Sequence, residues 1–123
     1  MIQQNGLTLA YIGDAYYELL VRKHLIDKKI TKVKNLHEAA IKYTSSVNQA
    51  KAARVLIEEV YTEDELLIFK RGRNQNASHK PKNTDIATYN TSTGFEAVIG
   101  YHFLNNDLER INKIMDEVKK ILE

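Results

Sequence analysis

Two carboxylates in this chain stand where a helix alone would not place them. Asp14 follows Gly13 inside the apolar run Leu9-Ala10-Tyr11-Ile12-Gly13-Asp14-Ala15-Tyr16. Aspartate and glycine are both poor helix formers, so the two side by side point to close helix approach or to function. The competing reading is an exposed acid paired with Lys or Arg one turn away. Glu96 sits in a second such run, Thr93-Gly94-Phe95-Glu96-Ala97-Val98-Ile99-Gly100. Thr93-x-x-Glu96 has the form of a capping box. The apolar spacing already runs back to Ile86, however, which places Glu96 inside a helix. Two acids on different helices, each in a glycine-containing apolar setting, suit a divalent cation, a hard ion that takes oxygen ligands. Glu18, one turn after Asp14 on the same face, either adds a carboxylate or pairs with Arg22 at i+4.

The bases form a second candidate feature. Net charge is only +2, but its distribution is uneven. Arg22, Lys23, Lys28, Lys29, Lys32 and Lys34 crowd one segment against the single acid Asp27. Lys70, Arg71, Arg73, Lys80 and Lys82 crowd another, with no acid between residues 70 and 82. Clustered bases bind polyanions by releasing counterions, whereas the bland reading is a solvated charged face. The four histidines, His24, His37, His79 and His102, share no metal-ligand spacing, and only His79 is placed to meet a phosphate. Tyr11, Tyr16, Tyr17 and Tyr101 lie at helical spacing in apolar contexts, which favours core or interface over base stacking.

These residues must be positioned by helices. At 123 residues the chain suits one core, residues 1–123 forming a single domain. It has no cysteine, hence no disulfide and no Cys-ligated zinc. No apolar run approaches the roughly 20 residues of a membrane span. The first residues, Met1 to Gly6, show no basic stretch leading into an apolar one, so a cytosolic protein is expected. Apolar periodicity predicts a first helix over about 8–26. Asn35-x-x-Glu38 predicts the start of a second, and Ser45 or Ser46 the start of a third. Thr62-x-x-Glu65 opens a fourth, ending near Arg71. Thr84-Asp85 opens a fifth and Asn106-x-x-Glu109 a sixth. Period-two runs are missing, so the fold class is all-α. The exception is a polar, basic loop over about 72–83, where Gly72 is expected to let the backbone turn. Loops of that length in small domains are usually functional or disordered.

At this point the motifs carry a resemblance. Leu9-Ala10-Tyr11-Ile12-Gly13-Asp14-Ala15 resembles the signature segment of the ribonuclease III catalytic domain. Phe95-Glu96-Ala97-Val98-Ile99-Gly100 resembles its second acidic motif. Lys70-Arg71-Gly72-Arg73-Asn74 stands at the family's glycine-containing basic turn, and Val47-Asn48 in the corresponding third helix. With Pro81-Lys82-Asn83-Thr84-Asp85, the pattern resembles the short branch of that family, Mini-ribonuclease III, which lacks a double-stranded-RNA-binding domain. The resemblance runs in order along nearly the whole chain.

It implies a helical ribonuclease III-type endonuclease domain. The reaction would be metal-dependent hydrolysis of phosphodiester bonds in double-stranded RNA by a homodimer. Asp14 and Glu96 match the catalytic acids that bind Mg²⁺, for which Mn²⁺ is a substitute. Tyr11 matches the aromatic residue of the dimer contact. Duplex RNA is recognised by shape, phosphate and 2′-hydroxyl. That task falls to Asn48, Lys70, Arg71, Arg73, Asn74, Lys80, Lys82 and Asn83. The resemblance further implies a large-subunit (23S) ribosomal RNA precursor as substrate, a ribosomal protein among the partners, and a cytoplasmic location. Two departures stand out. Longer relatives carry acids where this chain has Ala10 and Thr93, which leaves the number of metal ions per site open. The alternative function is a dimeric, catalytically inactive duplex-RNA-binding helical module.

Overall fold

The computed structural model describes residues 4–75 and 85–123, which form helices and, among the described residues, no strand. In chain order these are α1 (Gly6–Asp27), α2 (Val33–Thr44), α3 (Ser46–Glu59), α4 (Glu63–Arg73), α5 (Ile86–Leu104) and α6 (Leu108–Leu122). The all-α expectation holds.

Most helix starts follow from side-chain caps. Asn5 accepts from the Thr8 N–H at 2.9 Å, Ser45 from Asn48 at 3.2 Å, and Asp85 from Thr88 at 2.8 Å. Thr62 and Glu65 form the expected reciprocal box, with bonds of 3.2 and 2.9 Å. Two other expected boxes do not form. Asn35 lies inside α2, whose N-cap is Lys32 with no side-chain bond. Asn106 does not cap α6; Asp107 does, accepting from Arg110 at 3.1 Å. Asn106 instead takes a left-handed conformation, φ 59°, and closes α5. The Asp107 N–H bonds the His102 carbonyl and the Asn106 N–H bonds that of Phe103, as in a Schellman motif. Lys29, at φ 70°, ends α1 in the same way.

Helix α5 is the axis. Its stretch from Ser92 to Gly100 is buried apart from Glu96, which is half-buried. A helix apolar on nearly every side must be covered on every side, and α1, α3, α4 and α6 all pack on it. The outer helix α6 shows the one-sided pattern instead, burying Ile111, Ile114, Met115, Val118 and Leu122. Tyr17 of α1 stands edge-on to Phe95 at 4.9 Å, and its hydroxyl donates to the Tyr43 carbonyl of α2 at 2.7 Å.

A buried ion cluster locks α4, α5 and α6 together. Glu65, 2% exposed, accepts from Arg110 Nε and a terminal guanidinium nitrogen, both at 2.7 Å, and sits 2.6 Å from His102 Nε2. Burial works against the Glu65 charge, but the bonds from Arg110, His102 and Thr62 outweigh it and hold the carboxyl far below the usual range.

Candidate active site

Helices α1 and α5 cross at Gly13 and Gly100. A Cβ on Gly13 would overlap the Glu96 carbonyl and stand 2.7 Å from the Gly100 nitrogen. A Cβ on Gly100 would overlap the Leu9 carbonyl and stand 3.0 Å from Ile12 Cγ2. Only glycine at both positions lets the two backbones touch. That contact brings Asp14, the residue after Gly13, beside Glu96, one turn before Gly100. The glycine beside each acid, conspicuous in the sequence, thus reflects close approach.

Asp14 is exposed and Glu96 half-buried. Burial, then the neighbouring Asp14 carboxyl, pushes the Glu96 pKa up to about 9. Two carboxyls this close resist joint ionisation unless a positive charge joins them. The pair therefore fits a divalent cation, which would favour the ionised form of Glu96 beside Asp14. Among the described residues no group of three or more acids and histidines is gathered closely enough to hold a metal. Glu18 bonds Arg22 Nε at 3.2 Å, as the surface-pair reading of that residue expected.

A residue that sequence reasoning passed over also reaches this place. Gln49 of α3 is 1% exposed, and its Oε1 accepts from the Ser92 hydroxyl. Ser92 is one turn before Glu96, and the Gln49 amide favours the ionised form of that carboxyl. The available signal was a glutamine at a core-facing position of α3, in register with Ala52, Ala53 and Leu56.

The basic residues Lys70, Arg71 and Arg73 lie close by, on α4 and not on a loop that begins at Gly72. Gly72 and Arg73 complete α4, and Asn74 is its C-cap. Gly72 is helical and serves close packing: a Cβ there would come 2.7 Å from Ala97 Cβ and 3.0 Å from Gly94 Cα. The last turn of α4 thus rests on the turn of α5 that carries Glu96. It presents exposed Lys70 and Asn74 with half-buried Arg71 and Arg73. Arg71 reaches the Gln4 carbonyl at 3.4 Å; Arg73 lies over the Phe69 ring and donates from Nε to Asn74 Oδ1 at 3.0 Å. Asn48 is half-buried in the first turn of α3. Lys80, Lys82 and Asn83, with His79, lie outside the described residues.

Tyr11 is 83% exposed, three residues before Asp14. Leu19 and Ile26 continue its exposed face along α1, and Val33 and Ile41 of α2 extend it. Such an apolar strip beside the acids is the kind of surface a partner covers.

The sequence profile of the Ribonuclease III domain matches residues 7–107. The chain is 48% identical over 112 residues to the Mini-ribonuclease 3 of Streptococcus pneumoniae, covering 90% of this chain and 88% of that protein. It is 40% identical over 123 residues to the Mini-ribonuclease 3 of Enterococcus faecalis, covering 98% and 93%. A crystal structure of a Fusobacterium nucleatum protein superposes with a TM-score of 0.85 at 29% identity, covering 94% of this chain and 93% of the other.

Proposed function

Since this chain belongs to the ribonuclease III domain family, we propose that it cuts double-stranded RNA with Asp14 and Glu96 holding a divalent cation, Mg²⁺ in the cell with Mn²⁺ as a substitute. The carrying observation is the pairing of the two carboxyls at the Gly13–Gly100 crossing, with Glu96 pushed up to about 9 in the absence of a cation. A cation held by Asp14 and Glu96 would supply a water of lowered pKa and charge neutralisation for the phosphate. The protein's own part is to fix two oxygen ligands on two helices that cannot slide past each other.

Placement of the duplex falls to the bases. Lys70, Arg71, Arg73 and Asn74 close α4 beside the Glu96 turn. Asn48, Lys80, Lys82 and Asn83 complete the assignment. Phosphate contacts of this kind position a protein without reading sequence. The exposed strip with Tyr11 supports a homodimer, whose two sites would face the two strands of one duplex. The natural substrate in this reading is a precursor of large-subunit ribosomal RNA, processed in the cytoplasm and presented with the help of a ribosomal protein.

The experiment is direct. Long duplex RNA and a 23S precursor fragment are incubated with the protein, with and without Mg²⁺, and the product ends are sequenced. Cation-dependent cuts in both strands are expected. Duplex binding without any cleavage would leave only the inactive binding module.

A further inference from the structure

Gln49 is the only polar side chain buried by α3. Its Oε1 accepts from Ser92 of α5, and Glu96 stands one turn further along that helix, where the amide favours the ionised carboxylate. We propose that Gln49, steadied by Ser92, is a positioning residue that turns the Glu96 carboxyl toward Asp14 for cation binding. The proposal deepens the reading above and rests on it.

The chemistry of the groups sets the direction of the amide. An ionised carboxylate only accepts, so Glu96 must be met by the amide N–H. That leaves Oε1 for the Ser92 hydroxyl, which is the observed pairing. The Ser92 bond sets the orientation of the buried amide and leaves its N–H₂ for Glu96. A flexible glutamate is thereby held by one oxygen while the other stays available. Burial supplies the second argument. Leaving an amide this deep without partners costs more than an apolar residue of the same size. Packing alone would therefore favour leucine or methionine, and the retained amide has its use at the carboxyl it touches. The arrangement is the familiar one in which a metal ligand is oriented by a hydrogen-bond partner behind it.

Three variants test this. Gln49→Met keeps length and bulk while removing the amide. Its kcat at saturating Mg²⁺ should fall about tenfold, the low end for losing the partner of a metal ligand. KM for duplex RNA should stay unchanged, since the bases of α4 are untouched. Mn²⁺ binding to the RNA-free protein, read by calorimetry, should weaken about as much. Ser92→Ala should shift the same quantities less, and the double variant should be no worse than Gln49→Met, because Ser92 acts through Gln49. Glu96→Gln, assayed alongside, should be inactive. Wild-type kcat and Mn²⁺ affinity in Gln49→Met, with Glu96→Gln inactive, would overturn the positioning role alone. Activity in Glu96→Gln would overturn the carboxylate reading beneath it. Should Gln49→Met fail to fold, Ser92→Ala decides, and an unchanged Mn²⁺ affinity and kcat there overturn the proposal.

Discussion

Gly13 and Gly100 meet backbone to backbone where α1 crosses α5, leaving no room for a methyl group on either. Gly100→Ala would push against the Leu9 carbonyl, which belongs to a rigid helix. Overpacking of this kind costs about 2–3 kcal/mol. For a domain of this size that is a fall in Tm on the order of 10 °C. Cleavage by the fraction that remains folded should also drop, since the helices that carry the two acids move apart. A melt and an assay well below Tm check both; wild-type values in each would show that the crossing tolerates a side chain.

The acids themselves should be indispensable. Asp14→Asn or Glu96→Gln is expected to abolish cleavage and leave duplex binding and helical content intact. Normal turnover of either under saturating Mg²⁺ would remove that residue from the site.

Cation binding should depend on pH in a defined direction. Burial and Asp14 raise Glu96 to about 9, so between the ordinary glutamate range and that value the folded state holds a proton the unfolded state releases. Stability without a cation must therefore fall as pH rises through this window. A cation competes with the proton, so Mg²⁺ should raise Tm more at pH 8 than at pH 6. In Glu96→Gln that difference should vanish. Equal Mg²⁺ effects at both pH values would contradict the coupling.

Replacing Arg71, Arg73 and Lys82 by Ala should weaken duplex RNA binding and raise KM more than it lowers kcat. Each lost phosphate contact should flatten the slope of log affinity against log salt by about 0.9, taking duplex DNA as guide. A wild-type slope would redirect attention to the bases of residues 22–34.

Tyr11→Asp places a charge in the exposed strip of α1 and is expected to give monomers of low activity. Light scattering at assay concentration decides, and a fully active monomer would separate this strip from function.

Removing the Glu65 charge should cost far more than removing a surface charge. Glu65→Gln takes the anion and one of its two acceptor oxygens away from Arg110 and His102, at about 3–5 kcal/mol for a broken buried pair. The carboxyl is held below its unfolded pKa, so its contribution is complete above the ordinary glutamate range and fades as pH falls below it. Acid unfolding of wild type should be steep there, and that of Glu65→Gln shallower.

Much of this was legible in the residues. Apolar spacing located the six helices of the described residues, and Thr62-x-x-Glu65 marked a true box because Thr62 is the residue directly before α4 and Glu65 closes its acidic first turn. Asn35 and Asn106 matched the same pattern and failed for separate reasons. The N-cap of α2 lies three residues earlier, at Lys32, without a side-chain bond, and Asn106 was needed in the left-handed position that ends α5. The acids and their glycines were visible as residues ill-suited to helices. What could not be read was the third helix's share. Gln49 acquires meaning only when α3 lies against α5, a relation set by packing between segments distant in sequence.

That distance has a consequence for the timing of activity. Asp14 lies on the first helix and Glu96 on the fifth, about eighty residues later, so the pair exists only after a long loop of chain has closed. A chain growing on the ribosome at roughly 5–20 residues per second spends most of its synthesis with Asp14 alone. Without α5 to cross, α1 has neither its partner acid nor the backbone contact that would hold one. If the two acids work as proposed, the nascent protein, surrounded by structured RNA, stays inert until α5 emerges and docks on α1, and only then can the folded protomer pair with a second copy.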